Sequence, residues 1–198
     1  SIAVGIRNNQ GIAGLIRVYD WNNNLWVQRG MDMYGDSVGV PNVDVYDWFG
    51  NSLSISDDGN TVASGAPDKS YNSWGITNGE GYVKVFNWNG SSWTQRGQNI
   101  DGEAAGDFSG TSVSLSSDGN RIAIGAPQNH PTSNSGDMGH VRVFEWNGNV
   151  WSQLGQDIDG LFYAGSSGES VSLSSDGNIV SIGGNIQDEN GNNAGHVR

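Results

Sequence analysis

The chain has 198 residues, with 21 acidic and 9 basic side chains, three His, no Cys and a formal net charge of -12. This balance argues against nucleic acid as a partner, because phosphate binding needs a basic face, and against an anionic membrane surface. The missing Cys exclude disulfides and thiolate metal sites, and no 18-residue apolar run is present to span a bilayer. With 31 Gly, only 15% charged residues and no sustained 3.6-residue period, the composition predicts an all-β, loop-rich protein.

In chain order, SIAVG (from Ser1) reads as a strand, and GLIRVYDW (from Gly14) as the next. The phrase IRVYDWNNNLWVQRG from Ile16 returns as VKVFNWNGSSWTQRGQNIDG at Val83 and VRVFEWNGNVWSQLGQDIDG at Val141. A second phrase, ISDDGNTVASGAP (Ile55 to Pro67), returns as LSSDGNRIAIGAP (Leu115 to Pro127) and LSSDGNIVSIGG (Leu173 to Gly184). The turn residues Asp58, Asp118 and Asp176 stand 60 and then 58 residues apart. Internal repeats of this length, built from short strands, mark propellers and related arrays.

The best-preserved unit predicts four strands: Ser112 to Ser116, Arg121 to Ala126, His140 to Trp146, and Val150 to Ile158. Asp118-Gly119 between the first two is a hairpin signal of the two-residue type I′ kind. Alternation puts Val141 and Val143 on one face of the third strand, with Arg142, Phe144 and Trp146 on the other. One sheet face is then expected to be branched-aliphatic and the other to mix small and aromatic residues. Packing residues on both faces suit four-stranded sheets stacked around an axis.

The expected fold is therefore all-β, a β-propeller-like array of four-stranded antiparallel blades of about 58–60 residues each. Residues 1–50 form a partial first blade, 51–110 the second, 111–168 the third and 169–198 a partial fourth. The sequence opens in the second strand of one unit and stops in the third strand of another. It reads as an excerpt of a longer repeat protein, or as a subunit completed by neighbours. The pairs Trp21/Trp26, Trp88/Trp93 and Trp146/Trp151 keep one spacing, flank a hairpin turn and are expected to pack blade on blade.

Phe49-Gly50 followed by Gly65-Ala66-Pro67, and Phe108-Ser109-Gly110 followed by Gly125-Ala126-Pro127, resemble the FG-GAP repeat of integrin-α-type β-propellers. In unit length and order the resemblance covers nearly the whole chain. It implies an extracellular or cell-surface propeller used for adhesion or protein interaction. The calcium loop of such blades is not carried over, because SerSerAspGlyAsn at Ser116 has no room for six or more oxygen ligands. Asp101, Glu103 and Asp107 form a weaker calcium candidate, read as a solvated acidic loop.

No nucleophile elbow, phosphate-binding loop or dinucleotide fingerprint is present. No catalytic, cofactor or metal residue is assigned, and His130, His140 and His196 read as packing or hairpin residues. The irregular stretches Tyr71 to Gly81, Asn129 to Gly139 and Gln187 to Ala194 are the places where specificity would lie. Asn89-Gly90-Ser91 is a sequon on an exposed turn, which makes Asn89 a candidate glycan site. The expected function is a non-enzymatic extracellular structural or adhesive module, with protein partners or self-assembly. Two alternatives stand beside it. One is a lectin-like propeller binding glycans through Trp74 or Tyr163, and the other is the non-catalytic part of a larger secreted enzyme.

Overall fold

The computed structural model describes residues 1–7, 14–36, 47–68, 79–130, 138–161, 165–185 and 195–198. These residues contain strands and turns and no helix. The first sheet holds β1 (Ile2–Ile6), β2 (Leu15–Asn22), β3 (Leu25–Gln28) and β4 (Met33–Tyr34). The second holds β5 (Ser52–Ile55), β6 (Thr61–Ala66), β7 (Tyr82–Trp88), β8 (Trp93–Gln95) and β9 (Ile100–Asp101). The third holds β10 (Ser112–Leu115), β11 (Arg121–Ala126), β12 (His140–Trp146), β13 (Trp151–Gln153) and β14 (Ile158–Asp159). The fourth holds β15 (Ser170–Leu173), β16 (Val180–Gly184) and β17 (His196–Val197). Each sheet is an antiparallel meander, and the sheets stack in chain order as blades of an all-β, propeller-like array. Strand β10 lies between β5 and β15 at the inner edge.

The expected fourth strand is in fact two. Strands β13 and β14 both pair with β12, and β8 and β9 both pair with β7. The break falls at Gly97 (φ 78°) and Gly155 (φ 79°), left-handed positions that interrupt the ladder and let the chain resume it further along. The Asp-Gly turns also differ from the two-residue form. Among the turn residues only Gly59, Gly119 and Gly177 have positive φ, and the closing bonds Gly59 N–H to Ser56 O and Gly119 N–H to Ser116 O are both 2.9 Å. Asp118 completes the turn by accepting from Ser116 Oγ at 2.7 Å and from Asn120 N–H at 2.9 Å.

Register corrects the expected division of faces. Ile122 pairs with Phe144 and Ala123 with Val143. One face of the third blade therefore joins branched aliphatics to aromatics: Val113, Leu115, Ile122, Ile124, Phe144 and Trp151. It packs on Ala63, Val83, Val85 and Ile100 of the second blade. The other face carries Ala123, Val141, Val143 and Ile158 and packs on Val171, Val180 and Ile182 of the fourth. The same polarity joins the first and second blades, where Ile16, Val18 and Met33 meet Phe49, Val62 and Phe86. Large residues of each blade thus face the valine side of the preceding one, and burial of these side chains is the main source of cohesion.

Candidate functional site

Blade-to-blade seams hold most of the repeated polar chemistry. Gly65 approaches Gly110 so closely that a Cβ would sit 2.0 Å from the Gly110 carbonyl oxygen, and Gly125 meets Gly168 in the same way at 2.0 Å. Only glycine permits this approach. Ser52 Oγ donates to Gly110 O at 2.7 Å and Ser112 Oγ to Gly168 O at 2.8 Å. Inner strands are tied by Leu115 N–H to Ser54 Oγ and Leu173 N–H to Ser114 Oγ, both 2.9 Å. Serine therefore recurs in the first strand because its hydroxyl satisfies a neighbour's edge.

Arginine clasps each following hairpin turn. Arg29 reaches Gly59 O and Asn60 Oδ1, and Arg96 reaches Gly119 O and Asn120 Oδ1. The third copy has Leu154 at this place, and Arg121 takes over by bonding Gly177 O and Asn178 Oδ1. The tryptophan pairs complete the seam. Trp146 and Trp151 face each other across β12 and β13 with ring centroids 5.4 Å apart. Trp151 Nε1–H donates to Arg96 O at 2.8 Å, and Trp93 Nε1–H donates to Arg29 O at 2.8 Å. The corresponding face of the first blade lies open: Trp21 is 57% exposed, Trp26 48% and Ile2 40%.

One seam carries a cluster that differs from its repeat. Between the first and second blades, Tyr82 is buried and donates its phenol to Asp47 Oδ2 at 2.6 Å. Asp36 N–H donates to the same phenol at 2.8 Å, while Asn99 Nδ2–H donates to Asp36 Oδ2 at 2.6 Å. Burial and the two nearby carboxylates raise the phenol pKa, so Tyr82 stays protonated. Between the second and third blades the counterparts of Tyr82, Asp36, Asn99 and Asp47 are His140, Glu103, Asp157 and Asp107. His140 Nδ1 stands 3.9 Å from Glu103 Oε2 and 4.0 Å from Asp157 Oδ2, too far for hydrogen bonds. The His140 side chain is 1% exposed, and its Nε2 and Asp107 Oδ1 have no hydrogen-bond partner among the described residues. Burial, helped by Arg142, pushes the imidazole pKa down against the pull of Asp157, Glu103 and Asp107. Arg142 also approaches Glu103 Oε1 at 3.5 Å and donates to Asp101 O at 2.7 Å.

The residues singled out in the sequence distribute as follows. Trp88, Trp93, Trp146 and Trp151 sit in seams, whereas Trp21 and Trp26 form the open face. Phe49, Gly50, Gly65, Pro67, Gly125 and Pro127 are buried. Phe49 has Ser109 as its counterpart rather than Phe108, since Phe108 (φ 56°) shares its left-handed backbone with Trp48 (φ 54°) and Ser166 (φ 46°). Asp101 does not join Glu103 and Asp107 in the cluster: Glu103 and Asp107 gather around His140, and Asp101 pairs with Tyr82 in the strand ladder. His140 lies buried on β12, where a packing residue of the strand would lie, and faces Glu103 and Asp157, the latter from the turn after β13. The signal was available in the repeat alignment, where Tyr gives way to His and Asn to Asp at the same seam. Asn89 is exposed, and its Oδ1 accepts from Ser91 N–H and Ser92 N–H. Trp74, Tyr163 and most of the three irregular stretches lie outside the described residues.

No family model and no curated protein matches the chain. Among solved structures it is similar to a putative 6-phosphogluconolactonase from Bacteroides uniformis, with 14% identity and a TM-score of 0.50 over 97% of this chain and 56% of that one. It is also similar to U3-55K, with 15% identity and a TM-score of 0.49 over 92% of this chain and 48% of that one. The chain spans about half the length of each of these structures. At such identities the likeness concerns the fold alone. No helix among the described residues is long and apolar enough to cross a membrane.

Proposed function

We propose that the chain is a non-enzymatic, extracellular assembly module of the FG-GAP, integrin-α-like kind, acting through protein contacts made by its blade faces. The observation that carries this reading is the open first blade. Ile2, Val4, Trp21 and Trp26 repeat the aliphatic–aromatic face that is covered in the second and third blades. A contiguous exposed patch of this kind marks an interaction surface. The partner that fits is a further blade of this repeat, presenting small and valine side chains and a glycine turn. The close meeting of Gly65 with Gly110 and of Gly125 with Gly168, all of them glycines of the repeated motif, supports this reading.

A binding role also suits the cations. Among the described residues, Arg7, Arg17, Arg29, Lys84, Arg96, Arg121, Arg142 and Arg198 all contact acceptors within the chain. A sugar-phosphate lactone, the substrate named for the Bacteroides protein, would call for cations aimed at its phosphate. Sedimentation velocity over a concentration series tests the proposal. The wild-type chain should associate, and a Trp21→Glu/Trp26→Glu variant should stay monomeric with an unchanged circular dichroism spectrum. Association undiminished in the variant would overturn this reading of the face.

A further inference from the structure

We propose that Glu103, His140 and Asp157 form a binding site for a divalent transition metal, Zn²⁺ in its chemistry, at the seam between the second and third blades. One ligand atom from each residue lies within 4.8 Å of the others. The imidazole is 1% exposed, aims Nδ1 between the two carboxylates, and makes no hydrogen bond to either, at 3.9 Å and 4.0 Å. A buried, unpartnered imidazole facing two carboxylates is costly unless something binds between them.

The preceding seam shows what a closed version looks like. There Asn99 bonds Asp36 directly at 2.6 Å, and the Tyr82 phenol reaches Asp47 at 2.6 Å. Changing Asn to Asp removes the amide donor and leaves two carboxylates facing each other. Changing Tyr to His withdraws the phenol oxygen and supplies a nitrogen ligand. Both changes occur at the same seam, and together they turn a satisfied network into a nitrogen–oxygen donor set.

The donor set selects the metal. One imidazole and two carboxylates suit Zn²⁺ and its neighbours, whereas calcium takes six to eight oxygens. Two carboxylates also neutralise a divalent charge. With metal–ligand bonds of about 2.1 Å, tetrahedral ligands stand about 3.4 Å apart. Each carboxylate therefore needs to close on the imidazole by about half an ångström and the two on each other by up to about 1.4 Å, which side chains 43% and 29% exposed can make, with Gln153 holding only the other oxygen of Asp157. Arg142 approaches Oε1 of Glu103 and leaves Oε2 facing the imidazole. Asp107, whose counterpart Asp47 bonds Tyr82, adds a further carboxylate whose field acts on the imidazole, and its Oδ1 bonds neither the ring nor any other described residue. Because Glu103 comes from the second blade and the other two residues from the third, bound metal would clamp the seam.

Zn²⁺ titration by calorimetry, paired with melting curves, tests the site. The chain should bind one Zn²⁺ saturably and melt at a higher temperature when loaded. Asp157→Asn installs the amide found in the preceding seam, and Glu103→Gln removes the second carboxylate. Each change lies on a partly exposed side chain and should weaken Zn²⁺ by at least about 10-fold while abolishing the melting shift. Co²⁺ should give the visible bands of a four-coordinate site in the wild type and lose them in both variants. Absence of saturable binding would overturn the proposal. So would equal binding by wild type and both variants, which would place the metal on unrelated surface carboxylates.

Discussion

Trp151 and Trp26 occupy the same place in their repeats but not the same surroundings, and replacing each by Ala separates seam packing from intrinsic tryptophan burial. Trp151 is 4% exposed, packs at a tilt against Trp146 and donates to Arg96 O, whereas Trp26 is 48% exposed. A buried tryptophan removes about 200 Å² from water, which at about 25 cal/mol per Å² is about 5 kcal/mol. Loss of its partner leaves the Arg96 carbonyl short of a bond worth about 1 kcal/mol. Measured Trp-to-Ala changes in cores span about 3–5 kcal/mol, so Trp151→Ala should cost about 4 kcal/mol. Trp26, about half covered and without a seam bond among the described residues, should cost about 2 kcal/mol. Urea unfolding followed by circular dichroism, at a concentration where the chain is monomeric, gives both values from midpoint and slope. Equal losses, or a larger loss at Trp26, would refute the claim that stacking on the preceding blade is what the tryptophan pairs do.

Gly125→Ala should be among the most damaging single changes, costing about 3 kcal/mol or more in a thermal melt, because the added methyl meets the Gly168 carbonyl. Gly148→Ala is the control: nothing lies within 4 Å, but φ is 98°, so only backbone strain of about 1–2 kcal/mol applies. Acid should weaken the array through the turn aspartates. Asp58, Asp118 and Asp176 have folded pKa values held down first by a serine hydroxyl and then by the Asn backbone N–H, with Asp176 at about 2. Lowered folded pKa values mean that the stabilisation is fully present above the ordinary carboxylate range and is lost as pH falls through the folded values. Melting temperature should therefore drop between about pH 4 and pH 2, and a triple Asp→Asn variant should flatten that slope. An unchanged slope would show that other groups govern acid unfolding. Ser114→Ala should cost about 1 kcal/mol by unfolding assay, since it removes the acceptor for Leu173 N–H at the edge between blades.

The repeat made the blades legible before any coordinates, because period-2 alternation and Asp-Gly turns are local signals. The pairing of Trp146 with Trp151 followed from a constant spacing across a hairpin. What sequence reasoning missed depends on relations between units. The division of faces is one, since alternation orders residues within a strand while register decides which strand faces agree, as Ile122 beside Phe144 shows. The fourth strand looks continuous in sequence because Gly155 breaks it by backbone conformation alone. The His140 cluster escaped because Glu103 precedes it by 37 residues, Asp157 follows it by 17, and no motif joins them. Aligning the repeats shows His140 in place of Tyr82 and Asp157 in place of Asn99, but only the fold shows that both replacements meet Glu103 at one seam.

The central claim is that the open face of the first blade receives another blade. Electron microscopy of the natively isolated protein tests it most directly, because the blades are large enough to trace in a reconstruction. The account predicts that a neighbouring sheet, with a glycine turn over the rings, covers Trp21 and Trp26. Particles in which those two side chains face solvent, in the protein as it is isolated, would contradict it.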